Sequence, residues 1–174
     1  FISSNKIYLK KVKKIIQAKN IIIATGSTPS MPEIPGKHLA INSDQFFEMK
    51  KLPKKISIVG SGYIALEFAF LLKNLNYDVS LIIRKKTVLN EFDPDIGQRI
   101  LNSARSKKIK IYDESTVQSI KKNKKGLLVS TNKNNINTDL IIFAIGRVPN
   151  IHSLNLHSAK IKLTSQQAIK VNTL

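Results

Sequence analysis

Cysteine and tryptophan are absent from this 174-residue sequence, and it has only 11 acidic residues. Without cysteine the chain has no disulfide framework, no thiolate metal site and no redox thiol pair of its own. The three histidines, His38, His152 and His157, are too scattered to match the short spacings of zinc ligands. No apolar run approaches the roughly 18 residues of a membrane-spanning helix, and the first residues lack a signal-peptide pattern. We therefore expect a soluble, cytoplasmic protein that binds no metal.

Lysine and arginine are in excess, 29 against 11 acidic residues, which gives a net charge of +18. Such an excess can mark a nucleic-acid-binding module, because basic side chains neutralise phosphates. Only four of the 29 are arginines, however, and the lysines are spread in pairs without interleaved aromatic residues. Groups that fork onto bases are therefore scarce. We interpret the lysines as a solvated surface and keep a basic nucleic-acid-binding module as the alternative.

A strand, a glycine turn and a helix follow one another after Lys55. The β-branched run Ile56–Val59 predicts a buried parallel strand, and an apolar-periodic helix begins near Tyr63. In the Gly-x-Gly-x-x-Ala turn between them, Gly60 permits a tight bend and Gly62 lets backbone approach a pyrophosphate. The positive end of the helix would hold that diphosphate. The pattern predicts a dinucleotide site.

A second predicted strand, Val79–Ile83, delivers Arg84-Lys85-Lys86 to the position where an NAD fingerprint carries an acidic residue. A cation there suits a 2′-phosphate. The sequence therefore favours NADP.

Further elements complete an α/β fold. Asp93, Pro94 and Asp95 predict a capped helix start, and Ile109–Tyr112 is the next strand of a βαβαβ unit. Residues 116–138 alternate in the manner of an antiparallel meander, and residues 139–145 form another apolar strand. We predict a Rossmann-like parallel sheet covered by helices, with a small antiparallel β-meander and flanking strands.

The first third of the chain is less regular. Residues 6–9 and 14–17 predict a hairpin, with a basic amphipathic helix as the alternative, and residues 18–24 predict a core strand buried on both faces. A proline-rich connection over residues 27–42 precedes a short helix over residues 44–50. We expect Ser43 to cap this helix and Phe46 and Phe47 to face inward. The chain starts at Phe1 and ends in a strand-like run over residues 171–174, which predicts a fragment.

Three motifs in a fixed order, within residues 24–32, 60–67 and 144–150, resemble the class I pyridine nucleotide-disulfide oxidoreductases, FAD enzymes with an inserted NAD(P) domain. The resemblance implies that residues 1–26 end an FAD-binding domain. Residues 27–147 would form the NAD(P)-binding domain, and residues 148–174 would return towards the FAD domain.

Within this family the runs 42–47, 62–67, 83–85 and 92–93 resemble the glutathione reductases, whereas dihydrolipoamide dehydrogenases place an acidic residue near position 84. The resemblance implies a homodimeric enzyme that passes a hydride from NADPH to FAD and then reduces a disulfide, oxidised glutathione. A dihydrolipoamide dehydrogenase-like or mercuric reductase-like member is the alternative, as is a non-catalytic nucleotide-binding remnant. The family's redox cysteines and its His-Glu base are absent, so we predict no catalytic residue here.

The resemblance also implies cofactor contacts. Gly60, Ser61 and Gly62 would cradle the pyrophosphate, and Arg84 would fork onto the 2′-phosphate. Asn90 stands where glutathione reductases usually have a second arginine, which leaves Lys85 and Lys86 as substitutes. Tyr63 would cover the nicotinamide pocket, and Ile64 would line it. Glu67 would pair with a flavin-side lysine outside this chain, and Thr25 and Gly26 would contact FAD. The last implied residues lie at the second crossing between the domains and are Ile145, Gly146 and Arg147.

Overall fold

The computed structural model describes residues 1–172. The strands in this range are β1 (Lys6–Leu9), β2 (Lys14–Gln17), β3 (Ser27–Pro29), β4 (Ile41–Asn42), β5 (Lys55–Val59), β6 (Asp78–Ile82), β7 (Lys110–Tyr112), β8 (Val117–Asn123), β9 (Gly126–Thr131), β10 (Asn135–Thr138), β11 (Leu140–Phe143) and β12 (Arg147–Pro149). The α-helices are α1 (Ser43–Phe46), α2 (Tyr63–Asn74) and α3 (Pro94–Ser106), and 3-10 turns span Lys37–Leu39 and Leu156–Ala159.

Five parallel strands form the main sheet, in the order β4-β11-β5-β6-β7. Lys55 pairs with Asp78 and Leu140 with Ile56, so the carboxyl ends of the central strands lie at one edge. The chain moves from β5 to β6 and β7 on one side, whereas β11 joins β5 on the other. Ligands of open α/β sheets bind at such a change of direction, outside the carboxyl ends of the strands.

Helices cover one face of this sheet, and the antiparallel meander β8-β9-β10 covers the other. Along β11, Leu140 and Ile142 belong to a core cluster with buried residues of α2 and α3, while Ile141 and Phe143 belong to a second cluster with the meander. Successive side chains of a strand point to opposite faces, so a strand covered on both sides is apolar throughout. The predicted fold class is confirmed, including the antiparallel meander.

The helix that follows β6 begins as the sequence predicts. The Asp93 carboxylate accepts a hydrogen bond from the Asp95 N–H at 2.8 Å, and Pro94 occupies the first turn of α3. Leu101 and Ala104 are buried, whereas Ile96, in the first turn of the helix, is 45% exposed. The buried apolar face of α3 therefore does not include the isoleucine of its first turn.

The predicted core strand over residues 18–24 is wrong. The segment has no strand structure, and the Ile22 side chain is 91% exposed. A strand exists through hydrogen bonds to its neighbours. Within residues 1–172 the segment pairs with no other strand, although Ala18 donates a backbone hydrogen bond to Asn5. An apolar run alone does not supply those partners.

The short helix after the proline-rich connection also differs from its prediction. Its N-cap is Asn42 rather than Ser43: Asn42 and Gln45 exchange side-chain and backbone hydrogen bonds of 2.9 and 3.0 Å in a capping box. The helix ends at Phe46 instead of Lys50. Phe46 is buried as expected, but Phe47 is 76% exposed, so its predicted inward orientation is wrong.

The chain divides into two compact units, residues 29–146 and residues 1–28 together with residues from 147 onwards. In the second of these, β1 and β2 form the predicted hairpin, which rules out the helical alternative, and β12 pairs with β3. The assignment of the units to NAD(P) and FAD domains stays a prediction. None of the helices within residues 1–172 combines the length and the apolar composition of a membrane span. The strand-like run 171–174 lies in part outside them.

Candidate nucleotide-binding site

A cleft of about 340 Å³ opens at the carboxyl edge of the parallel sheet. It lies entirely within the unit of residues 29–146. Its size falls in the range of small-molecule sites. The lining residues are Pro32, Val59, Gly60, Ser61, Gly62, Ile82, Arg84, Ser115, Thr116, Val117, Phe143, Ala144, Ile145 and Gly146.

Gly60 makes the turn that opens the cleft. Its φ of 142° is a backbone conformation that side-chain-bearing residues rarely adopt, and an added Cβ would overlap the carbonyl oxygen of Ala144. Its N–H donates to the carbonyl of Ile82 at 3.1 Å, which ties the turn to the end of β6. Only glycine fits between these two strand ends.

Gly62 has a different environment. It is the N-cap of α2 with an ordinary φ of −82°, and an added Cβ would meet nothing within 4 Å. No side chain caps the helix here, so the first N–H groups of α2 have no side-chain acceptor. The cleft therefore combines open space with the positive end of a 12-residue helix, a suitable site for a diphosphate.

Arg84 brings a cation to the same cleft from the end of β6. Its side chain is exposed, as are those of Lys85 and Lys86. Asn90 does not line the cleft and accepts a hydrogen bond from Thr87 Oγ1 at 2.7 Å. The cation at the predicted 2′-phosphate position is present, whereas Asn90 contributes no charge.

The sequence reasoning missed the wall formed by Ser115 and Thr116. Ser115 is 1% exposed, and its N–H donates to the carbonyl of Ile83 at 2.9 Å, beside Arg84. The side chain of Asn132 accepts from the Thr116 N–H at 2.7 Å. A signal was available, because these residues follow β7 as Gly60 follows β5, at the same edge of the sheet.

Glu114, next to this wall, carries the clearest electrostatic perturbation at the edge. The hydrogen bond and charge of Lys133, then the charge of Lys86, lower the pKa of its carboxyl below the ordinary value of 4.5. The Lys133 ammonium lies 2.8 Å from one carboxylate oxygen, and the Lys86 ammonium lies 3.9 Å from the other. Glu114 is therefore ionised at neutral pH.

Several predicted residues lie outside the cleft. On α2, Tyr63 is 62% exposed, Ile64 packs against the core, and Glu67 is exposed. Within the described part of the chain, the Glu67 carboxylate accepts no side-chain hydrogen bond and forms no ion pair. The cleft thus brings together Gly60, Ser61, Gly62, Arg84, Ile145 and Gly146 of the predicted set.

The remaining predicted residues, Thr25, Gly26 and Arg147, belong to the other unit. The Arg147 guanidinium donates to the hydroxyl and the carbonyl of Ser27, each at 2.8 Å. The carbonyls of Thr25 and Gly26 accept from Asn150, at 3.4 and 3.0 Å. These contacts order the segment, and its predicted role in binding FAD stays a prediction.

The family model of the pyridine nucleotide-disulphide oxidoreductases matches residues 2–174. The chain belongs to this family. It is 38% identical over 161 residues to the chloroplastic/mitochondrial glutathione reductase of Pisum sativum, which covers 91% of this chain and 29% of that protein. It is 32% identical over 163 residues to the mercuric reductase of Staphylococcus aureus, which covers 90% and 30%. The chain spans less than a third of the length of these relatives.

Solved structures of flavoproteins have the same fold. The HOCl-induced flavoprotein disulfide reductase RclA of Escherichia coli superimposes with a TM-score of 0.91 at 26% identity, over 99% of this chain and 40% of that one. An engineered water-forming NADPH oxidase bound to NADPH superimposes with a TM-score of 0.78 at 28% identity, over 88% and 35%. It differs from its parent, an NADH oxidase, by five substitutions, of which two introduce arginine and one removes aspartate.

Proposed function

We propose that this chain is the NADPH-binding portion of a flavoprotein disulfide reductase, and specifically of a glutathione reductase. The observation that carries the proposal is the cleft at the carboxyl edge of the sheet. There the glycine turn, the uncapped start of α2 and Arg84 line one space. The similarity to the pea glutathione reductase supports the same assignment.

The residues present fit the phosphates of NADPH. Gly62 leaves room where a side chain would otherwise project, and the first turn of α2 presents N–H donors towards that room. Arg84 adds a planar, permanently charged donor fork, which matches a 2′-phosphate better than a ribose hydroxyl. The arginines introduced into the oxidase that binds NADPH are consistent with this chemistry.

The contribution of this chain to the reaction is binding and orientation. The nicotinamide, when bound, supplies a hydride for a flavin. The turn at Gly60 and Gly62 would hold the diphosphate that links the two halves of the dinucleotide, and Arg84 would hold the 2′-phosphate of its adenosine half. The apolar strand ends, such as Val59 and Phe143, exclude water from the floor of the cleft. Fixed orientation of this kind lowers the entropy that remains to be lost at the reacting centre.

The whole enzyme's properties belong to the same proposal. They are FAD binding near Thr25, Gly26 and Arg147, reduction of oxidised glutathione, a homodimer, and a cytoplasmic location. Tyr63 would cover the nicotinamide, and Glu67 would pair with a lysine beyond this chain. Exposed apolar residues in the unit that contains β1 and β2, among them Ile15 and Ile22, support a further part of the protein that packs there.

A pair of charge-reversal variants tests the nucleotide assignment. In calorimetric titrations, Arg84→Glu should weaken NADPH binding by about 1.5–3 kcal/mol, roughly ten- to a hundred-fold, and should affect NADH far less. Arg99→Glu makes the same change of charge on an exposed residue of α3 outside the cleft. Equal losses for both nucleotides, or equal effects of the two variants, would refute the 2′-phosphate assignment.

Mercuric reductase is the second candidate, because the relative in Staphylococcus aureus is 32% identical over a similar range. The two candidates share the NADPH step and differ in the final acceptor. NADPH oxidation by the flavin-loaded enzyme, measured with oxidised glutathione and separately with Hg²⁺, distinguishes them.

A further inference from the structure

The Glu114 carboxylate forms ion pairs with two lysines at the edge of the cleft, and the two pairs differ in distance. Lys133 lies 2.8 Å from the carboxylate and Lys86 lies 3.9 Å from it. The Lys86 side chain is 74% exposed, against 45% for Lys133. Lys86 is therefore the looser partner, and its departure would leave Glu114 still paired.

The backbone fixes where this carboxylate lies. Glu114 has a φ of 46°, an uncommon conformation for a residue with a side chain. Asn132 donates its side-chain N–H to the Glu114 carbonyl at 3.1 Å. The next residue, Ser115, donates its N–H to the carbonyl of Ile83. Glu114 is thus held beside the segment that begins at Arg84, by a residue of the meander.

We propose that Lys86 is the second cation of the 2′-phosphate site. Its ammonium pairs with Glu114 when no phosphate is present and moves to the 2′-phosphate when the nucleotide binds. This inference rests on the proposed function and deepens it, because it concerns the choice between nucleotides with a 2′-phosphate and those with a 2′-hydroxyl. A phosphate monoester carries up to about two negative charges at neutral pH, against one on a carboxylate. An exposed ammonium that leaves Glu114 for that phosphate gains the stronger partner.

The neighbouring residues favour Lys86 for this role. Asn90, which follows Arg84 in the same loop, carries no charge, and its side-chain oxygen already accepts a hydrogen bond from the Thr87 hydroxyl. Lys86 is two residues beyond Arg84 and already lies near the cleft wall through its ion pair with Glu114. Exchange of one exposed ion-pair partner for another costs little, since exposed ion pairs contribute little free energy in water.

A double-mutant cycle on Lys86 and Glu114 tests the proposal. NADPH and NADH are titrated calorimetrically into the unaltered protein and into Lys86→Gln, Glu114→Gln and the double variant. Lys86→Gln should weaken NADPH roughly three- to ten-fold and leave NADH unchanged. Glu114→Gln should tighten NADPH roughly two- to five-fold, because Lys86 loses its competing partner. The double variant should bind NADPH no more tightly than Lys86→Gln.

Two further variants serve as controls for the interpretation. Lys86→Arg should retain the preference for NADPH, because it keeps the charge. Lys124→Gln removes one charge from the turn between β8 and β9 and should change neither nucleotide, which separates a local contact from the overall field.

Each outcome decides the question. A gain from Glu114→Gln that persists without Lys86 would mean that the carboxylate merely repels the phosphate, and would overturn the inference. If Lys86→Gln leaves the affinity for NADPH unchanged while Arg84→Glu lowers it, the inference is overturned and the proposed function remains intact. No NADPH binding by the unaltered protein, or a silent Arg84→Glu, would overturn both.

Discussion

Gly60 and Gly62 are two residues apart, and the structure gives them separate physical roles. Gly60→Ala would force a side chain into the Ala144 carbonyl at a φ of 142°. We expect it to lower the free energy of unfolding by about 2–4 kcal/mol. Gly62→Ala, at an ordinary φ with open space around it, should change stability by less than about 1 kcal/mol and still weaken NADPH binding.

Urea denaturation and nucleotide titration of the two variants provide the check, each variant serving as the control for the other. A stable Gly60→Ala protein would show that the turn can rearrange. Unchanged NADPH affinity in Gly62→Ala would show that the diphosphate does not approach this residue.

The residues of the cleft were predictable to the extent that local sequence determines them. Gly60, Gly62 and Arg84 lie in one strand-turn-helix-strand run, so their spacing in the sequence already determines their relative positions in space. Ser115 and Thr116 reach the cleft only because β7 pairs with β6, about thirty residues earlier in the chain. Their position depends on sheet order, which the local pattern does not contain.

Among the elements, β5 and α2 were predicted well, because local propensity and burial favour the same structure. The run over residues 18–24 was predicted wrongly. Its apolar residues match the pattern of a buried strand, but their burial depends on neighbouring strands that the pattern does not specify. The N-cap of α1 was misplaced by one residue. Asn42 and Ser43 are both good capping residues, and only the reciprocal bonds with Gln45 distinguish them.

The capping box of α1 provides a test of element stability. Asn42→Ala removes the acceptor for the Gln45 N–H and should lower the free energy of unfolding by about 1 kcal/mol. Ser43→Ala, the control, removes the residue that the sequence favoured as the cap and should have the smaller effect. A larger loss in Ser43→Ala, measured by urea denaturation, would contradict the observed cap.

The molecule as a whole has an uneven charge distribution. All 11 acidic residues lie within residues 33–139, inside one compact unit, while the other unit has no acidic residue. The positive charge of that second unit includes Lys10, Lys11 and Lys13 in the turn between β1 and β2, and Lys14 at the start of β2. The solvated-surface interpretation agrees with their exposure.

Binding and catalysis should separate in the 174-residue chain. We expect it to bind NADPH and to show no NADPH-dependent reduction of oxidised glutathione, even with added FAD. The sequence contains no cysteine that could accept electrons from a flavin and pass them to a disulfide. The assay follows NADPH absorbance with and without the disulfide, and sustained turnover would contradict the assignment of the chain as a binding portion.

The most direct test of the central claim is an NMR titration of the ¹⁵N-labelled chain with NADPH. The account predicts that the backbone amides of Gly60, Gly62 and Arg84 shift in a saturable manner with one nucleotide per chain. Amides of the hairpin β1-β2 should stay unchanged, and NADH should give smaller shifts at Arg84. The absence of saturable shifts in the cleft, or shifts confined to the lysine-rich turns, would contradict the proposed NADPH site.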